Sequence, residues 1–410
     1  MAFILVMFSV VILNIPSLLR PAPPADACGV ARPVLGPLVR FQNCDSHVFN
    51  LIASRWDQLF TESGETRLSR PVFLAAGWLM DRFVFLASLG AVDPSEAEAP
   101  YFELAEVGFV ILNVLVVTAA IALALRLVLG ADWRPGAVGR QWPIALFLVV
   151  ALAATPVSKA FLWTSHTQML TILIPVVALM ATRWALSTQS SVLTAGLIGL
   201  AIGVGILTYA SSVILALAIA TAFAVRRRYP QALVTLVGAA VFPVAWVLGV
   251  RIATGDFYSV ETEKFRQFVW VLDGLGDGSV ISKTQENVDG FLRSFFEGQT
   301  LLALAVVITL LLLVAFSSRF NPPSPQDDFR ILGLSTVIVL AWYVIFLFAM
   351  GFYQTRLSWA LVITLIVATS ALVANTFLHK GHPNRPVVAA LFGATVVWYA
   401  AWITIPEPWF

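Results

Sequence analysis

The sequence predicts an all-α polytopic membrane protein with about eleven transmembrane helices and a large first extracytoplasmic loop containing amphipathic interfacial helices. Three observations predict it. Hydrophobic residues make up 59% of the 410 and charged residues only 12%, whereas soluble domains stand nearer one half and one quarter. Apolar stretches of about 20 residues recur along the chain, the length that carries a helix across a bilayer. Basic residues gather in alternate connections between those stretches. The same arithmetic excludes a soluble enzyme, a disulfide-stapled secreted domain and a disordered chain. A net charge of +2 offers no basic field for nucleic acid.

Taken in order, the spans read as roughly 2–19, 105–129, 143–163, 168–185, 191–208, 210–226, 231–252, 299–317, 331–350, 357–378 and 387–405. Ala25-Asp26-Ala27 before Cys28 has the form of a signal-peptidase site. The first span nevertheless lacks a basic n-region and is long enough to cross, so it reads as an uncleaved anchor. With the N-terminus cytoplasmic, the inner connections collect Arg126, Arg134, Arg140, Arg183, Arg226, Arg227, Arg228, Arg319, Arg330, Lys380 and Arg385. That bias predicts a multi-pass protein of the plasma (inner) membrane. Counting 71–90, with Asp81 and Arg82 in its middle, as a span would turn the Arg226–Arg228 cluster outward. It reads instead as an interfacial or re-entrant helix. The spans read as free of internal carboxylates, and the acids crowd into two outer segments, 20–104 and 253–298.

The first outer segment holds both cysteines of the chain, Cys28 and Cys44. On an oxidising face they read as a disulfide, with two free thiols as the alternative. After Cys44 come Asp45 and His47, then Val48, Leu51, Ile52, Arg55, Trp56, Leu59 and Phe60 at helical spacing, the pattern of a helix lying on the membrane. Asp45 at its start is either a helix cap or a carboxylate held at the boundary to take a proton from a substrate hydroxyl. His47 with Asp45 makes half of a metal pair. No third ligand is identifiable, so no metal or other cofactor is expected. Arg67 and Arg70, just before Pro71, suit a phosphate or carboxylate, or lipid headgroups.

Further along, Pro156 to Gln168 puts Lys159, His166 and Gln168 at the outer ends of spans three and four. A buried lysine is costly unless paired, so it meets a lipid phosphate or snorkels to the interface. Tyr353 and Arg356 open span ten from outside, where a base runs against the charge bias unless it meets an anion. No Walker loop, zincin pair or nucleophile elbow occurs, so ATP-driven pumping in this chain is not expected.

With these residues in place, the sequence resembles the integral-membrane C-type glycosyltransferase superfold. The likeness lies in one span followed by a large outer loop with an acid near its start, Asp45, and an amphipathic stretch through Phe60. Arg67 to Pro71 looks like the Ser-Arg-Pro element of such loops. The Gly-rich stretch Ala195 to Gly203, continuing to Leu207-Thr208-Tyr209, is similar to a mid-chain span pair, and Arg356 looks like the arginine opening a late span. Here Asp45 is followed by Ser46 where many members carry a second acid. The resemblance implies a polyprenyl-phosphate-linked sugar donor, a lipid, glycan or protein acceptor, and inverting transfer on the extracytoplasmic face. Asp45 would be the general base. Lys159, His166, Arg356 and Arg70 would bind the donor phosphate, and His47, Arg67, Gln168 and Tyr353 would line the substrate site. A transporter or flippase, a ligase or polymerase for lipid-linked glycans, and a non-catalytic assembly subunit are the rival readings.

Overall fold

The computed structural model describes residues 2–19, 30–35, 38–42, 44–54, 56–60, 67–87, 98–130, 141–257, 267–296, 299–318, 326–351, 355–377 and 385–405. Among these, helices make the whole architecture apart from one antiparallel ribbon. The ribbon joins β1 (Val30–Leu35) to β2 (Leu38–Gln42), running in register from Val30↔Gln42 to Leu35↔Leu38, with an irregularity between Pro33 and Leu35. It departs from the purely helical expectation. Two short runs bearing Val30, Val34, Leu38 and Val39, separated by Gly36-Pro37, carry the turn signal that identifies it.

Among the described residues, six helices are long and apolar enough to cross a membrane: Glu106–Leu129, Thr167–Ser187, Tyr229–Thr254, Arg330–Met350, Arg356–Thr376 and Arg385–Thr404. They belong to α4 (Glu98–Leu129), α7 (Leu170–Ser187), α10 (Tyr229–Thr254), α14 (Gln326–Met350), α15 (Thr355–Phe377) and α16 (Arg385–Thr404). The other expected spans take shorter or broken forms. α1 (Ala2–Asn14) tightens into a 3-10 turn at Ile15-Pro16. Span 143–163 splits into α5 (Trp142–Ala153) and α6 (Pro156–Phe161). α8 (Val192–Ile206) and α9 (Val213–Val225) are shorter than eighteen residues. The stretch 71–90, read as an interfacial or re-entrant helix, is α3 (Pro71–Ala87), whose apolar stretch Pro71–Met80 ends before Asp81 and Arg82.

Prolines set the breaks, because the ring removes an N–H and clashes with the preceding turn. At the α5–α6 break three carbonyls take side-chain donors from other helices. Asn14 Nδ2 donates to Ala153 O (3.0 Å), Trp398 Nε1 to Ala154 O (2.8 Å) and Trp402 Nε1 to Thr155 O (2.9 Å). Thr155 and Ser158 close a capping box over the start of α6. A broken helix is tolerable in an apolar bundle only where neighbours satisfy its backbone in this way.

Close packing positions the rest. Gly199 and Gly203 of α8 press on α10, where a Cβ at Gly199 would stand 2.5 Å from Thr235 O. This is the small-residue contact that lets two membrane helices meet. Gly77 of α3 lies under the Phe109 ring of α4, with a Cβ position only 2.1 Å from it. Glu106 corrects the expectation of acid-free spans: it lies in the first turn of span Glu106–Leu129 and is 1% exposed.

Candidate functional site

The site forms at one end of the bundle, where the α6–α7 connection meets the segment preceding α3. Asn113 of α4 fixes the connection by donating from Nδ2 to Phe161 O, Leu162 O and Thr164 O at 3.1, 3.3 and 2.7 Å. Ser165 Oγ donates to Asn50 Oδ1 of α2 (Cys44–Ser54) at 2.5 Å. The segment carrying Arg67 and Arg70 is held from the other side. Trp246 Nε1 donates to Leu68 O (2.6 Å), and Val72 N–H donates to Leu207 O (3.3 Å). Three separate stretches are therefore locked before any functional side chain is placed.

Asp45, in the first turn of α2, is the centre. Its side chain is 47% exposed, while that of Arg67 is 9% exposed and donates from Nη2 to Oδ1 at 2.5 Å. His166 Nε2 stands 3.3 Å from the other oxygen, Oδ2. The opposite ring nitrogen, Nδ1, accepts the Gln168 backbone N–H (3.3 Å), because His166 caps the 3-10 turn Thr167–Met169. Nδ1 therefore carries no proton, and Nε2–H donates to Asp45.

Electrostatics agree with that tautomer. Burial, offset in part by the Asp45 hydrogen bond and deepened by the Arg356 and Arg70 charges, lowers the His166 pKa to about 4. The imidazole is neutral at pH 7. Burial opposes ionisation of Asp45, but the His166 hydrogen bond and the Arg67 charge outweigh it. They hold the carboxyl well below the usual range. Asp45 is a carboxylate with one donor on each oxygen and the rest of its acceptor capacity facing outward.

Two phenylalanines seat the cations. The Arg67 guanidinium lies 4.6 Å from the centroid of the Phe49 ring, and Arg356 lies 5.5 Å from that of Phe161. The Phe161 ring is also 4.6 Å from the His166 ring. Arg356 Nε is buried and has no hydrogen-bond partner among the described residues. Arg70 Nη1 donates to Thr167 Oγ1 (2.8 Å), and its guanidinium lies 5.6 Å from the Tyr209 ring. Gln168 Oε1 accepts from Tyr209 Oη (3.1 Å) and from Thr171 Oγ1 (3.2 Å).

The structure thus brings together Asp45, Arg67, Arg70, His166, Gln168 and Arg356. It gives Lys159 a different partner from the lipid phosphate the sequence suggested. Nζ donates to Trp402 O (2.6 Å) and Ile405 O (2.7 Å), closing the C-terminal carbonyls of α16 where a cation meets the negative end of a helix. His47 is exposed on α2. No group of three His, Cys, Asp or Glu that could hold a metal occurs among the described residues. Cys28 and Tyr353 lie outside the described residues, and with Cys28 the expected Cys28–Cys44 bridge. Sequence reasoning missed Asn50, Ser165, Thr167 and the Tyr209 hydroxyl as members of this network. Tyr209 carried a signal, as a hydroxyl between two apolar helices that must find a partner when buried.

Chemically, three guanidinium groups face one carboxylate and a neutral imidazole, a surplus of positive charge beside a hydrogen-bond acceptor. Guanidinium groups match an anion of phosphate geometry, and here a carboxylate lies beside them. Searched against family models, curated proteins and solved structures, the chain matches none.

Proposed function

We propose that this protein is a membrane glycosyltransferase that moves a sugar from a polyprenyl-phosphate donor to a hydroxyl acceptor, with inversion. The observation that carries the reading is Asp45, a half-exposed carboxylate set among Arg67, Arg70 and Arg356 at one end of an apolar helix bundle. A lipid-linked phosphate presents its head group at the bilayer boundary, and the arginines supply charge where the departing phosphate develops it. Arg356, whose buried Nε has no partner among the described residues, is the strongest candidate for that contact.

A carboxylate with so low a pKa is a weak base on its own. An arriving phosphate draws on the arginines' charge and so lifts Asp45 toward useful basicity. His166, fixed as an Nε2–H donor, orients the carboxylate and takes up no proton. The acceptor oxygen attacks the anomeric carbon, its proton passes to Asp45, and the C–O bond to phosphate breaks with its electron pair on polyprenyl phosphate.

The crossing pattern belongs to this reading. In this reading the six long helices, the apolar helix Thr300–Leu312 and the shorter Ala2–Leu18, Trp142–Ala153, Val192–Ile206 and Ala210–Val225 make eleven crossings, and Val280–Phe295, bent from Thr300–Leu312, stays outside the apolar layer. With the N-terminus cytoplasmic, the site faces the extracytoplasmic side of the plasma membrane. The test is incubation of purified protein in nanodiscs with polyprenyl-phosphate pentoses and hexoses plus acceptor alcohols, with free polyprenyl phosphate read by mass. Release in step with glycoside formation is expected. A donor that only crosses between leaflets in vesicles, unreleased, would establish the translocation reading instead.

A further inference from the structure

We infer that the helix pair α11 (Trp270–Asp277) and α12 (Val280–Phe295) is a membrane-surface seat whose exposed apolar stripes are covered by lipid of the adjoining leaflet. The inference rests on the fold and is independent of the transfer reaction. Each helix is two-sided. In α11 the buried Trp270 and Gly274 lie four residues apart, while Leu272 and Leu275 on the other side are 67% and 64% exposed. In α12, Ile281, Val288 and Leu292 fall on one face and are all exposed, while Ser294 is buried. The two helices pack closely at their junction, where a Cβ at Gly274 would come within 2.8 Å of Val280 Cα.

Its place fixes the occupant. Trp270 Nε1 donates to Phe348 O (3.2 Å) and Ala349 O (3.1 Å), and Phe268 N–H donates to Met350 O (3.3 Å), so the segment caps the last turn of α14. At its far end Ser294 Oγ and Ser358 Oγ, on the first turn of α15, stand 2.8 Å apart. Both anchors are the ends of membrane-length helices, so the segment sits at the level where those helices leave the apolar layer. α12 is also bent 73° from the apolar helix that follows it, α13 (Gln299–Ser318). Spans tilt by about 20° on average, which leaves α12 close to the membrane plane. An amphipathic helix at that depth buries its apolar face at the boundary of head groups and acyl chains.

Charge tells which lipid property matters. Lys283 pairs with Asp277 (2.7 Å) and Arg293 with Asp289 (2.6 Å), so both bases are matched within the segment, and Asp273 and Glu286 leave it with more acid than base. Seating is therefore apolar in origin and needs no anionic lipid. Trp270 also packs against Gly351 at the end of α14, where φ is +64° and a Cβ would stand 2.4 Å from Trp270 Cδ1.

The test uses full-length protein in phosphatidylcholine nanodiscs at one copy per disc. A nitroxide is attached by ketone chemistry to Leu275→p-acetylphenylalanine, with Glu286→p-acetylphenylalanine on the polar side as reference. Leu275 should collide with oxygen several-fold more than with a water-soluble nickel chelate, and Glu286 should show the reverse. Nickel access at Leu275 equal to that at Glu286 would overturn the seat. Shielding of Leu275 from both reagents would overturn it as well, because protein would then be the cover. Ile281→p-acetylphenylalanine gives the same reading from the second helix if the first variant does not fold.

Discussion

Acidification tests the buried imidazole at the centre of the site. His166 titrates near 4 in the folded chain against 6.5 for the free side chain. Between those values the unfolded chain holds a proton that the folded chain does not, so stability falls as pH falls. The loss amounts to about 2 kcal/mol between pH 7 and pH 5 and roughly 3 kcal/mol by pH 4. Asp45 adds its own loss in a lower window, because its folded pKa lies below the ordinary carboxylate range and its contribution fades only as pH falls through and below that range. The two windows separate the residues. His166→Gln keeps an amide N–H for Asp45 and an oxygen for the Gln168 N–H but cannot take a proton. Denaturant titration in detergent micelles at pH 7, 6 and 5 should show native protein losing stability over this range and His166→Gln losing about 2 kcal/mol less. Parallel curves for the two proteins would refute the assignment of a neutral, Nε2-protonated imidazole.

Lys159→Met should lower the melting temperature, because it leaves the Trp402 and Ile405 carbonyls without their donor at about 1–3 kcal/mol each. Its affinity for prenyl phosphate should be unchanged. Lost affinity with an unchanged melting temperature would return Lys159 to the phosphate site. Gly199→Ala should destabilise by about 1–3 kcal/mol through overpacking against Thr235 O. Gly249→Ala, with no atom within 4 Å of the added Cβ, should be neutral or slightly stabilising. Equal melting temperatures for the two would contradict the helix contact. Arg356→Lys should weaken prenyl-phosphate binding despite keeping the charge, since an ammonium lacks the planar fork. Unaltered binding by calorimetry would remove Arg356 from the anion site.

The chain's letters carried the class of the fold and several members of the site, but not their partners. Asp45, Arg70, His166 and Arg356 were legible because each broke a local pattern: an acid opening an amphipathic helix, or a base where lipid-facing chain should be neutral. Arg67 was legible as a cation and not as the partner of Asp45, because 22 residues separate them. The Asn50–Ser165 bond spans 115 residues, and nothing in helical periodicity states which face meets which. The carbonyl partners of Lys159 were hidden for the same reason. Its cost as a buried charge was plain, but the carbonyls that meet it lie more than 240 residues away. The broken α5–α6 element was readable at Pro156, although the side chains that satisfy the break come from both ends of the chain.

The central claim is that Asp45 takes the acceptor proton, and single-turnover transfer by Asp45→Asn measures it most directly. The measurement uses folded protein in nanodiscs saturated with a polyprenyl-phosphate sugar that the native chain turns over. The account predicts donor binding within a few-fold of native and a transfer rate lower by about 10²–10⁴-fold. An Asp45→Asn protein that folds, binds donor and transfers at the native rate would contradict it.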